Sequence, residues 1–86
     1  MAKSITYGDL EQTLLSFDFV MSETPEGFRL FRHPRSEAVL LLPHYRREKP
    51  AHHFHYTSVR GTLEDFGFLK PDEFDDVVRN HGRAVS

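Results

Sequence analysis

Prolines at positions 25, 34, 43 and 50 divide the middle of this chain into pieces too short for a regular helix. Proline fixes φ and removes a backbone donor, so it belongs in turns and at strand ends rather than inside a paired element. Two of the pieces, Phe28-Arg29-Leu30-Phe31-Arg32-His33 and Ala38-Val39-Leu40-Leu41-Leu42, are short and rich in aromatic or aliphatic residues. They are predicted to be strands. Alternation puts Phe28, Leu30 and Arg32 on one face and Arg29, Phe31 and His33 on the other, so both faces mix apolar and basic groups. A shorter apolar run, Phe19-Val20-Met21, precedes a Ser22–Gly27 turn and supplies a third strand. Short turns between three strands imply an antiparallel meander.

Helical spacing flanks this region. Thr6 followed by Asp9 is a variant of the capping box, and Tyr7, Leu10, Leu14 and Phe17 then recur at intervals of three and four. A helix over 7–17 follows, with Asp9, Glu11 and Gln12 expected toward water. The histidine-rich stretch from His44 to Tyr56 contains Pro50 and reads as a long, mobile loop. Thr57 or Ser58 is expected to cap a second helix through Phe66, buried by Val59, Leu63 and Phe66 and stopped by Gly67. Pro71, Asp72 and Glu73 suit the start of a last helix reaching about Asn80, with Phe74, Val77 and Val78 as its apolar stripe and 79–86 as a tail. The order helix, three strands, helix, short helix predicts one α+β domain with the helices on one face of the sheet. Leu10, Leu14, Phe17, Leu40, Leu42, Leu63, Phe66, Phe74 and Val77 are the expected core.

The 86 residues suffice for one core. No cysteine is present, which removes disulfides and thiolate metal sites and makes a reducing compartment, the cytoplasm, the expected location. The longest apolar run is Ala38–Leu42, so neither a signal peptide nor a membrane partner is expected. The net charge of −2 conceals strong polarisation. Residues 29–60 hold seven arginines or lysines (Arg29, Arg32, Arg35, Arg46, Arg47, Lys49 and Arg60) against two acids, whereas the rest holds four bases against eleven acids. A basic island of this kind can contact RNA phosphates, because A-form duplexes are recognised mainly by shape and backbone. Docking of an acidic protein is the competing use.

The helix Tyr7–Phe17, the strand end Phe31-Arg32-His33-Pro34, Leu42-Pro43-His44 and then Gly61-Thr62-Leu63 together resemble the HicA toxin family over about residues 5–78. The resemblance implies a fold like a double-stranded-RNA-binding domain and, in a bacterial toxin–antitoxin pair, an mRNA interferase held inactive by a HicB antitoxin. In that family a histidine in a Gly-Ser-His element, just ahead of a segment like Phe-Arg-His-Pro, performs the cleavage. Here that position is Phe28, and a phenyl ring cannot exchange a proton. The resemblance therefore implies RNA binding without the family's cleavage, unless His33 or His44 substitutes as the acid–base group. Gly61-Thr62-Leu63 is expected to serve packing. His52, His53 and His55, with His44, do not follow a recognised ligand spacing, so no metal or other cofactor is expected.

Overall fold

A computed structural model describes residues 5–79. In chain order the elements are α1 (Tyr7–Ser16), β1 (Val20–Glu23), β2 (Arg29–Arg32), β3 (Val39–Leu42), α2 (His53–Asp65) and α3 (Phe74–Arg79). The three strands form one antiparallel sheet in the order β1-β2-β3, so the expected α+β meander is present. Arg79, placed in the predicted 79–86 tail, instead ends α3, and the rest of that tail lies outside the described residues.

The capping box forms as its residue types dictate. Asp9 N–H donates to Thr6 Oγ1, and Thr6 N–H donates to Asp9 Oδ2. At its other end α1 closes in a Schellman turn: Phe19 N–H reaches the Leu14 carbonyl and Asp18 N–H reaches that of Leu15. That turn needs a left-handed residue, and Asp18 supplies it with φ 73°. The same arrangement ends α2, where Gly67 has φ 78° and Phe68 N–H reaches the Leu63 carbonyl.

Register then separates the two faces of the sheet. Met21, Phe31 and Leu40 are aligned across the strands, as are Arg29 and Leu42. Phe31, Leu40 and Leu42 are buried in one cluster with Leu10 and Leu14 of α1, Val59 and Leu63 of α2, and Phe74 and Val78 of α3. On the other face, Val20, Arg32 and Val39 form one row and Ser22, Leu30 and Leu41 the next. Val20, Arg32, Val39 and Leu41 are exposed. No helix among the described residues is long and apolar enough to cross a membrane.

Three further expectations require correction. First, α2 begins at His53, four residues before the predicted Thr57 cap. The N-cap is His52, whose Nδ1 accepts from Phe54 N–H at 3.0 Å, whereas Thr57 sits inside the helix and bonds back to the Phe54 carbonyl. Secondly, the mobile loop is shortened and pinned. Tyr45 is buried, and loop carbonyls accept from the first turn of α1. Thirdly, Glu11 is 4% exposed and faces the interior, while Phe66, assigned to the core, is 48% exposed. Of the remaining expected core residues, Phe17 and Val77 are partly buried and the others are buried.

Candidate nucleic-acid interface

The segment from Pro43 to His52 leaves β3, crosses the start of α1 and delivers the chain to α2. Its course is fixed by backbone groups that any helix start leaves unsatisfied. Tyr7 N–H donates to the Lys49 carbonyl at 3.0 Å and Gly8 N–H to the Arg47 carbonyl at 2.8 Å, while Ala51 N–H donates to the Ile5 carbonyl. Thr6 and Pro50 form an isolated antiparallel bridge. The approach at Gly8 is close enough that a Cβ there would lie 3.0 Å from the Arg47 carbonyl oxygen and 3.2 Å from its Cβ. Gly8→Val is therefore expected to destabilise the fold by about 1–3 kcal/mol through forced repacking, measured by urea denaturation.

Beneath the segment lies a polar centre built on Glu11. Tyr45 Oη donates to Glu11 Oε1 at 2.8 Å, the Arg47 guanidinium pairs with Oε2, and Arg29 Nη1 lies 3.6 Å from Oε1. Arg29 also lies over the Tyr45 ring, 4.8 Å from its centroid, and the Tyr7 ring stacks on Tyr45 at 4.8 Å and 12°. Burial, reinforced by the Glu11 carboxylate, pushes the Tyr45 phenol well above its ordinary value. The tyrosine thus remains a neutral donor and ties the segment to α1.

A second tie joins α1 to α2. Tyr7 Oη accepts from His52 N–H at 3.2 Å and lies 2.7 Å from His55 Nδ1. In this contact the tyrosine either donates to a lone pair on Nδ1 or accepts a second bond from Nδ1–H, according to the tautomer of the ring. Desolvation, helped by the nearby His52, lowers the His55 pKa from 6.5. A histidine whose folded pKa is depressed stabilises the fold fully above its unfolded pKa and loses that stability as pH falls through the folded value. The melting temperature is therefore expected to fall on acidification from 6.5. In His55→Gln, whose amide oxygen accepts without titrating, the fall should be shallower; identical profiles would remove His55 from this account.

The predicted site residues divide into three groups. Arg29 and Arg47 are engaged by Glu11, so they serve the fold. Arg35 pairs with Asp18 at 3.1 Å on the surface, and Arg60 lies 3.9 Å from Glu64 one turn along α2. Exposed pairs of this sort contribute little stability and leave the cation able to exchange partners. Arg32, Arg46 and Lys49 are exposed and form no ion pair among the described residues. Arg46 and Lys49 lie on the pinned segment, whereas Arg32 stands on the outer face of the sheet.

The two histidine candidates are not brought together. His33 follows β2 and His44 follows β3, and because these strands are antiparallel the two residues lie at opposite ends of the sheet. His33 is 5% exposed, packed against Phe19 and Phe68, with Nδ1 accepting from Arg35 N–H. His44 is exposed and lines a cleft of about 280 Å³ with Tyr7, Pro43, Tyr45, Arg46 and Lys49. Phe28 is 40% exposed beside the β1–β2 turn. Among the described residues, no group of three or more histidines or carboxylates is arranged to hold a metal ion.

Sequence reasoning missed three contributors. Glu11 and Tyr45 organise the segment, and Phe54, 67% exposed in the first turn of α2, sets an aromatic ring beside its histidines. Glu11 was detectable, since it lies one helical turn from Tyr7 and so on the buried stripe. Comparison with protein-family models, with curated proteins and with solved structures returns no match for this chain.

Proposed function

We propose that this chain is an RNA-binding domain of HicA-like type that lacks the family's histidine-driven cleavage, and that it binds through the segment carrying His44, Arg46 and Lys49. The observation that supports it most is the state of the seven cations. Glu11 consumes Arg29 and Arg47, while Arg46 and Lys49 extend from a preformed loop and form no ion pair among the described residues. Phosphates are the ligands that such a ridge suits, and holding it rigid lowers the ordering cost of binding. His52 and His53 continue the polar ridge, and exposed Phe54 offers a ring for an unpaired base. Cleavage is not assigned to His33, whose ring is enclosed by Phe19 and Phe68.

Fluorescence anisotropy with a structured RNA at low salt tests the proposal. The variant Arg46→Glu/Lys49→Glu is expected to bind at least tenfold more weakly, whereas Arg32→Glu, on the outer sheet face, retains affinity within about twofold. Equal affinities for the wild type and the double variant would contradict the proposal. The pairing of Arg47 with Glu11 excludes Arg47 from the test, since its reversal would also disturb the fold.

The outer sheet face favours a protein partner as well. Val20, Val39 and Leu41 surround Arg32 there, and an acidic side chain set among apolar ones, as on a HicB-like antitoxin, would match that pattern. If a neighbouring gene encodes a HicB-like protein, its binding to this chain should be weakened by Leu41→Lys but not by Lys49→Glu. The reverse ranking would exclude this face.

A further inference from the structure

We infer that the cleft formed by Tyr7, Pro43, His44, Tyr45, Arg46 and Lys49 is a subsite for one unpaired nucleotide of RNA. The inference rests on the RNA-binding reading and specifies which part of the RNA enters the protein. At about 280 Å³ the cleft lies just below the range of small-ligand pockets, which begins at about 300 Å³, a size that suits one nucleotide unit.

Its chemistry is graded. His44, Arg46 and Lys49 are exposed at the rim, where a phosphodiester can meet two permanent cations while remaining partly hydrated. Within, Pro43 and the edges of Tyr7 and Tyr45, which are 5% and 6% exposed and stacked on each other, provide a small apolar floor suited to a sugar edge. A free carboxylate would use the rim but not the interior, and an apolar ligand would leave the cations unused. A nucleotide uses both.

The walls are also held in place before any ligand arrives. Tyr45 is fixed by Glu11 and by stacking, the Arg47 and Lys49 carbonyls are fixed by the α1 amides, and Tyr7 is fixed by its bonds to the start of α2. Binding therefore requires ordering of the rim side chains alone.

The test compares a blunt RNA hairpin with the same hairpin carrying a two-nucleotide single-stranded overhang, at one salt concentration. The overhang should raise affinity about tenfold. In His44→Ala/Lys49→Ala the advantage should fall to about twofold or less. Uridine monophosphate should compete with the overhang hairpin, and its chemical-shift changes should centre on Tyr7 and residues 43–49. Equal binding of the two hairpins by the wild type would overturn the subsite while leaving a general basic interface intact. Shifts confined to α3 or to the outer sheet face would also overturn it. Failure of both hairpins to bind better than the Arg46→Glu/Lys49→Glu variant would defeat the subsite and the RNA-binding reading together.

Discussion

Glu11→Ala is expected to destabilise the domain by about 3 kcal/mol, the cost of leaving partners of a buried carboxylate unpaired. The change strands the Tyr45 hydroxyl, which donates to Oε1, and leaves Arg29 beneath the loop with no acid beside it. Arg47 can turn to solvent, since its side chain is half exposed, so the cost stays below that of a fully enclosed triad. For a domain of this size about 4–8 °C of melting temperature is lost per kcal/mol, so the effect is easily read by thermal denaturation. A double-mutant cycle isolates the mechanism. Tyr45→Phe should destabilise the wild type but have little effect in Glu11→Ala, and additivity of the two changes would show that the pair is not coupled.

Phe31→Ala should cost about 3–5 kcal/mol, because the site combines loss of transfer free energy with a cavity that the meander cannot collapse. Phe31 is fully buried at the centre of the middle strand, paired with Met21 on one side and Leu40 on the other, and it joins the cluster holding Leu10 and Leu63. Phe28→Ala, three residues earlier on the other face and 40% exposed, should cost less than about 1 kcal/mol. Urea denaturation of the two variants side by side checks the assignment of faces. Equal losses would mean that the face assignment is wrong.

The contrast between these two phenylalanines shows how far the sequence could be read. The apolar run 19–21, the proline boundaries and the apolar content of 28–33 and 38–42 were enough for three strands, and Thr6 with Asp9 was enough for the start of α1, because each signal is local. The start of α2 was not legible by the same means. His52 is an uncommon cap that works through a ring nitrogen, while Thr57, of a favoured capping type, instead bonds back within the helix. The interior position of Glu11 was masked by its charge, although its spacing from Tyr7 placed it on the buried stripe. What made it tenable was non-local: Tyr45, Arg29 and Arg47 arrive from 18 to 36 residues further along the chain.

The candidate site was legible in outline and not in its division of labour. Charge counting marks residues 29–60, but only the fold separates Arg29 and Arg47, held by Glu11, from Arg46 and Lys49, which face outward. The histidines show the same limit. His33 and His44 look equivalent as residues following strands, yet one is enclosed by aromatic rings and the other borders an open cleft.

The most direct test of the central proposal is the salt dependence of RNA binding by the wild type and by Arg46→Ala/Lys49→Ala. Each phosphate contact contributes about one unit to the slope of log affinity against log salt, so the double variant should show a slope shallower by about two. Unchanged slopes, or wild-type binding insensitive to salt, would contradict the assignment of this segment as the RNA interface.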